Sequence, residues 1–85
     1  MNNKLEIYKK KLIYRAGYRG TKEMDILLSS FVKKYINNLT DNQLKQLEIF
    51  LNFEDETILN FYNYNIIKNN IDKNPISKIF KEFKI

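Results

Sequence analysis

The sequence contains no cysteine and no histidine. Their absence excludes disulfides, thiolate nucleophiles, histidine bases and nearly every zinc or iron site that protein side chains build. The residues that are left do not favour an enzyme of a familiar type. We therefore predict that the chain is not an enzyme, has no catalytic residue and binds no metal.

Long apolar runs are also missing. No stretch approaches the roughly 20 apolar residues that a membrane-crossing helix requires. Residues 1–6 do not have the Arg- and Ser-rich composition of a mitochondrial leader. The lack of cysteine is in keeping with a reducing compartment. We therefore expect a soluble protein of a bacterial cytoplasm that has no membrane partner.

The charge of the chain is unevenly distributed. Residues 1–22 hold seven basic and one acidic residue, residues 23–62 hold three and seven, and residues 63–85 hold five and two. This pattern favours a partner surface with complementary patches, because such charges speed and orient encounter. It argues against a protein that binds uniform polyanions, so we expect no nucleic-acid partner.

Apolar residues recur at helical spacing along almost the whole chain. Leu5, Tyr8 and Leu12 predict a first helix over about residues 3–15. A second helix is predicted between residues 21 and 38, because a broad apolar stripe of the kind that faces a core runs through that segment. This stripe consists of Met24, Leu27, Leu28, Phe31 and Tyr35.

Three further helix starts have local signals. Thr40 and Gln43 fit a capping box, in which each side chain accepts a hydrogen bond from the backbone of the other residue. Asp55 suits the cap of a fourth helix. Asn74 followed by Pro75 is typical of the first residues of a helix, because proline favours the first helical position.

The segment 63–70 fits either an extension of the fourth helix or a loop, because asparagine is a weak helix former that turns tolerate. No internal repeat or second domain is visible. We therefore predict a single domain over residues 1–85 with an all-α fold, a small antiparallel bundle of about five helices.

Both arginines and both glycines of the chain lie in one stretch, residues 15–25. The planar fork of arginine grips carboxylates in ways that lysine cannot. Gly17 and Gly20 permit a positive φ, so we expect the loop to present Arg19 inside the cleft of a partner. Gly17 also suits the end of the first helix, and Arg15 fits either that helix end or a partner contact.

A longer pattern surrounds this loop. Arg19-Gly20-Thr21-Lys22-Glu23 forms an Arg-Gly-x-x-Glu motif, which continues as Met24-Asp25-Ile26-Leu27-Leu28. Together with Leu12-Ile13-Tyr14-Arg15 before it and Leu39-Thr40-Asp41 after it, the motif resembles the succinate dehydrogenase flavinylation factors, a family also called succinate dehydrogenase assembly factor 2. The resemblance covers residues 11–62.

The resemblance implies a five-helix bundle that binds the flavoprotein subunit of succinate dehydrogenase, or of fumarate reductase, and promotes covalent attachment of FAD to a histidine of that client. It implies an assembly factor that binds no cofactor by itself, since FAD is attached to the client. We expect the factor to be a monomer when alone. The residues expected to contact the client are Arg15, Arg19, Gly20, Glu23, Met24 and Asp25.

The residue types suggest separate roles within this set. Arg19 is expected to engage a carboxylate of the client, and Glu23 to pair with a cation of the client. Glu23 and Asp25 also fit a purely local role, because acids in the first turn of a helix interact favourably with its dipole.

Two other classes of function stay open. A small basic helical protein can bind nucleic acid through a helix-turn-helix, although the candidate recognition helix begins with the acids Glu23 and Asp25. The chain also fits a general interaction module for another acidic partner. Co-purification with a flavoprotein distinguishes the assembly factor from both.

Overall fold

Five α-helices make up the fold of residues 3–84, the part of the chain that the computed structural model describes, and this part contains no strand. The helices are α1 (Asn3–Ala16), α2 (Lys22–Tyr35), α3 (Asp41–Leu51), α4 (Asp55–Tyr64) and α5 (Pro75–Glu82). Two short 3₁₀ turns, Ile36–Asn38 and Ile71–Lys73, follow α2 and precede α5. The predicted all-helical bundle is confirmed.

Side-chain caps start three of the helices. Thr21 accepts from the backbone N–H of Met24 at the start of α2, and Thr40 forms the predicted capping box with Gln43 at the start of α3. Asn74 accepts from the N–H of Ile76 ahead of Pro75. Each bond satisfies a backbone donor that the first turn of a helix leaves unpaired.

The start of α4 differs from the prediction. Glu54, not Asp55, occupies the cap position, and its side chain makes no capping bond. Asp55 is instead the first residue of the helix, and its carboxylate accepts from Arg19. The local signal was wrong because a charged partner from another part of the chain takes the carboxylate.

The end of α4 answers the open question about residues 63–70. The helix stops at Tyr64, and Asn65 adopts the left-handed conformation, with a φ of 59°. The N–H of Asn65 donates to the carbonyl of Phe61 at 3.1 Å, and that of Ile66 donates to Asn60 at 3.3 Å. Asparagine tolerates this conformation better than most residues, so it can end a helix as glycine does.

Aromatic rings from several helices meet at the centre of the bundle. Phe31 of α2 lies edge-on to Phe80 of α5, with 5.0 Å between ring centroids, and Phe50 of α3 lies 5.2 Å from Phe80. Such pairs contribute about 0.5–1.5 kcal/mol beyond the apolar area that they bury. α1 packs on α2 and α3, while α5 packs on α3 and α4. The loop that connects α1 to α2 lies beside the turn that joins α3 to α4, since Arg19 in that loop bonds to the carbonyls of Leu51 and Phe53.

Among residues 3–84, no helix combines the length and the apolar composition needed to cross a membrane.

Candidate functional site

The loop between α1 and α2, residues 17–21, carries the Arg-Gly pair of the motif, and we call it the RG loop. It lies against the α3–α4 turn, residues 52–54. Hydrogen bonds from Arg19 join these two segments, which are far apart in the sequence. The candidate site is therefore a composite of two connections and not a single free loop.

The guanidinium of Arg19 holds the α3–α4 turn. Its Nε donates to Asp55 Oδ1 at 2.8 Å, Nη1 to the carbonyl of Leu51 at 2.6 Å, and Nη2 to the carbonyl of Phe53 at 2.8 Å. The side chain of Arg19 is only 10% exposed. All three nitrogens of the fork are thus used inside the chain.

This geometry corrects the expectation that the loop presents Arg19 to a partner. The positive charge lies at the C-terminal end of α3, where the helix dipole is negative and the last carbonyls lack helical partners. Leu51 is the last residue of that helix, and Asp55 is the first residue of the next. Arg19 therefore acts as an internal clamp between the RG loop and both helices in the isolated chain.

Gly20 has the backbone conformation that its residue type permits. Its φ is 137°, a value that residues with a side chain rarely adopt. A Cβ atom at this position would lie 3.7 Å from Asp55 Oδ2, which is an ordinary contact. The requirement for glycine here comes from the backbone and not from lack of space.

Gly17, which also permits a positive φ, does not adopt one in the structure. It follows the last residue of α1, and its N–H donates to the carbonyls of Ile13 at 3.2 Å and Tyr14 at 3.1 Å. Gly17 thus belongs to the end of α1, which is the other role that its sequence position suggested.

The three motif residues that open α2 have different surroundings. Met24 is buried in the core, so its side chain is not placed to contact a partner in the folded chain. Asp25 Oδ1 accepts from the backbone N–H of Arg19 at 2.5 Å and so holds the loop from its other side. Glu23 is exposed and forms no hydrogen bond or ion pair with the residues that the structure describes.

Glu23 stands at the rim of an apolar groove between α2 and α4. The groove has a volume of about 290 Å³. It is lined by Glu23, Ile26, Leu27, Leu59, Tyr62 and Asn63. An exposed carboxylate at the edge of an apolar surface is suited to a partner residue with a positive charge, because the partner's charge stays hydrated at the rim.

Arg15 extends the contact between α1 and α3. Its Nη2 donates to Asn52 Oδ1, and its Nη1 lies 3.9 Å from Glu48 Oε2. Both arginines of the chain therefore reach the C-terminal part of α3 or the turn that follows it. Arg15 is more exposed than Arg19, with 37% of its side chain accessible, so a contact with a partner is open to it as well.

Tyr8 of α1 contacts Glu48, the same α3 residue that lies near Arg15. Its hydroxyl donates to Glu48 Oε1 at 2.7 Å. Burial raises the pKa of Tyr8 to about 12, and the hydrogen bond and the negative charge of Glu48 add to the effect. The proton is therefore held between the two side chains throughout the neutral range.

Sequence reasoning identified the loop but not what holds it. The carbonyls of Leu51 and Phe53 have no signature in the sequence, because every residue carries the same carbonyl. Asp55 did have a local signal, since an acidic residue before a helix suits a cap, but that signal predicted a cap and not the partner of Arg19. The pairing of a rare arginine with a glycine led to the prediction of an exposed arginine, although a clamp also needs a fork and a tight loop.

Comparison with known proteins agrees with the motif. Residues 10–84 match the model of the Sdh5 family, described as flavinator of succinate dehydrogenase. The match includes the RG loop, the α3–α4 turn and α5. It therefore covers all the elements that form the candidate site.

Curated relatives carry a consistent name. The chain is 36% identical over 81 residues to a protein of Scheffersomyces stipitis named succinate dehydrogenase assembly factor 2, mitochondrial, covering 95% of this chain and 51% of that one. It is 34% identical to the protein of the same name from Meyerozyma guilliermondii, over 94% of this chain and 56% of the relative. A zebrafish protein of that name, from Danio rerio, is 44% identical over 56% of this chain and 30% of its own length.

The chain thus spans about half the length of the two yeast relatives and less of the zebrafish protein. No solved structure matches it. These relatives are named assembly factors, in agreement with the prediction that this chain is not an enzyme.

Proposed function

The chain belongs to the Sdh5 family of succinate dehydrogenase flavinators, and from this premise we propose that it is an assembly factor for the flavoprotein subunit of succinate dehydrogenase. It binds this client and promotes the covalent attachment of FAD to a histidine of the client. The flavin and the histidine both belong to the client, so the residues of this chain bind and orient and do not react.

The exposed carboxylate of Glu23 beside a clamped loop is the observation that carries this proposal. Arg19 and Asp25 fix the RG loop from two sides, with bonds of 2.8 Å to Asp55 and 2.5 Å from the Arg19 N–H to Asp25. Glu23, one turn away, is left without a partner among the described residues. A loop that is already fixed loses less backbone conformational entropy on binding, so mainly the Glu23 side chain still has to be ordered.

This geometry supports different roles for the residues of the motif. Arg19 and Asp25 are positioning residues, since both are bonded inside the chain. Gly20, whose backbone is exposed, and Glu23 form the surface that contacts the client, and Arg15 lies at the border of that surface. Binding at this surface stabilises the client conformation in which histidine and flavin are aligned, because such an alignment lowers the barrier to reaction.

Three finer statements belong to the same proposal. The client is the succinate enzyme, and the flavoprotein of fumarate reductase is the alternative. The 85 residues act as one domain, monomeric when free and without a cofactor of their own. They act in a reducing bacterial cytoplasm, for which the support is the absence of cysteine from the sequence.

Co-expression tests the proposal. The flavoprotein subunit from the same organism is expressed with and without this chain in a host that lacks its own factor, and covalent flavin is read as fluorescence of the client band in a denaturing gel. A fluorescent client only in the presence of the chain is the expected result. Equal fluorescence in both strains would contradict the proposal.

A further inference from the structure

The outer face of α1 holds an exposed apolar stripe with a basic border. Ile7 and Tyr14, two helical turns apart, lie on the same side of the helix and are 53% and 62% exposed. Lys10 and Lys11 lie between them and line the same shallow depression, about 500 Å³ in volume. We call these four residues the α1 stripe.

The stripe continues into the RG loop. The ring of Tyr14 stacks on that of Tyr18, with 4.4 Å between centroids, and Tyr18 is 72% exposed. Tyr18 directly precedes Arg19, so the apolar surface of α1 reaches the candidate site without a break. A partner that covers the RG loop therefore meets the stripe next.

The charges of the stripe are unpaired within the described chain. Arg15, on the side of α1 that faces α3, lies 3.9 Å from Glu48. Lys10 and Lys11 are exposed, and neither forms an ion pair with any residue between 3 and 84. Two cations therefore flank the apolar centre without an ion-pair partner among residues 3–84.

We propose that the α1 stripe is a second docking surface, and that it binds an acidic surface with an apolar centre on the flavoprotein client. The inference rests on the proposed function for the identity of the client. An apolar or aromatic centre with a charged border is the arrangement of protein interfaces, in which the centre supplies the affinity and the border supplies orientation. Charge complementarity requires the facing surface to be acidic.

Other occupants fit the stripe less well. A single-stranded nucleic acid needs open ring faces for stacking, whereas Tyr14 and Tyr18 cover one face of each other. An anionic membrane surface is read by clusters of about 4–8 basic residues, and the depression is lined by three, Lys10, Lys11 and Arg15. A second copy of the chain offers the acidic segment 23–62 as a partner. Sedimentation distinguishes such a dimer from binding to the client.

Charge reversal tests the proposal. The double variant Lys10→Glu, Lys11→Glu is compared with Lys73→Glu, Lys78→Glu, which has the same net charge and changes two exposed lysines, one in the 3₁₀ turn before α5 and one within α5. Binding to the purified flavoprotein subunit is measured by biolayer interferometry at low and at physiological salt. The first variant is expected to raise Kd about tenfold or more, mainly through slower association, and the difference is expected to shrink as salt screens it. The control variant is expected to stay within about twofold of the unchanged chain.

Two further variants separate folding from docking. Lys10→Gln, Lys11→Gln removes the two positive charges without reversing them. It is expected to raise Kd as well, but by less than the charge reversal does. Ile7→Ser tests the apolar centre and is expected to raise Kd about fivefold. Circular dichroism melting of each variant shows whether the fold is kept, and the comparison uses only variants that melt like the unchanged chain.

Several results would overturn the proposal. Unchanged binding by all stripe variants, or equal losses in the stripe and control variants, removes the stripe as a docking surface and leaves the proposed function standing. No binding by the unchanged chain contradicts the proposed function and, with it, this client. Sedimentation that shows a dimer of the chain, lost in Lys10→Glu, Lys11→Glu, identifies a second copy as the occupant. The unchanged chain is also tested on vesicles of anionic lipid and on a single-stranded oligonucleotide. If it binds either one, and Lys10→Glu, Lys11→Glu loses that binding but still binds the client, the partner belongs to a different class.

Discussion

Arg19 and Asp55 are 36 positions apart in the sequence, and the guanidinium Nε of the first lies 2.8 Å from the carboxylate Oδ1 of the second. This pair and the two carbonyl bonds of Arg19 connect the loop between α1 and α2 to the turn between α3 and α4. The loop that carries the family motif is thus held by the motif's own arginine.

The clamp predicts a large loss of stability in Arg19→Ala. Three acceptors that are wholly or partly buried lose their donor, so we expect the free energy of unfolding in urea to fall by about 3 kcal/mol. Arg19→Lys keeps the charge but not the fork and is expected to lose about half as much. A loss below about 0.5 kcal/mol in Arg19→Ala, the range of ordinary surface substitutions, would show that the clamp does not stabilise the fold.

The pair itself is measured by a double-mutant cycle. Asp55→Ala is expected to cost about 1–2 kcal/mol, less than Arg19→Ala, because the two carbonyl bonds of Arg19 remain. The double variant is expected to be more stable than the sum of the single losses predicts, by about 1 kcal/mol. Additive losses would mean that the two side chains stabilise the chain independently.

The two glycines of the chain predict opposite outcomes. Gly20→Ala forces a side chain into a φ of 137° and is expected to cost about 1–3 kcal/mol. Gly17→Ala meets no positive φ and no contact shorter than 3.7 Å, so stability is expected to be unchanged or to rise by up to about 1 kcal/mol. Thermal melts of both variants make the comparison, and equal losses at the two positions would contradict it.

Tyr8 predicts a loss of stability at high pH. Its pKa is raised in the fold to about 12, mainly by burial and then by Glu48, so the folded state holds the phenol proton more tightly than the unfolded state does. Its contribution is complete below a pH of about 10, the unfolded pKa, and is lost as pH rises through about 12. Urea denaturation at a series of pH values is expected to show a shallower decline in Tyr8→Phe than in the unchanged chain.

The tyrosine absorbance provides the matched spectroscopic check. In a titration followed at the phenolate band, Tyr8→Phe is expected to lose the component that ionises at the highest pH. Tyr14→Phe, which changes an exposed ring, is the control and is expected to retain that component. Loss of the same component in both variants would contradict the assignment to Tyr8.

Most of the fold was predictable because its signals are local. The capping box of Thr40 with Gln43 and the Asn74-Pro75 start involve neighbours in the sequence, and both are present in the structure. The fourth helix was located correctly, but its cap was not. Asp55 satisfies every local rule for a cap, yet it pairs with a residue 36 positions away, and such a competition has no trace in the local sequence.

The candidate site was predictable in position and not in contacts. The motif identified the RG loop, since rare arginines and glycines coincide there. Whether Arg19 points outward or inward depends on whether the end of α3 lies beside the loop, and that is a matter of tertiary packing between segments far apart in the sequence. Sequence reasoning therefore treated an internal clamp as an exposed tip, and it treated the buried Met24 as a contact residue.

The rate of covalent flavin formation on purified client tests the central claim most directly. Apo-flavoprotein is mixed with FAD and an equimolar amount of the chain, and acid-stable flavin is followed with time. We expect the unchanged chain to accelerate its formation and Glu23→Gln to lose most of that acceleration with an unaltered melting temperature. Asp41→Asn, which changes another exposed first-turn acid at the start of α3, is expected to accelerate it like the unchanged chain. Equal rates with and without the unchanged chain would contradict the assignment as a flavinylation factor, and full acceleration by Glu23→Gln would contradict the role of the exposed carboxylate.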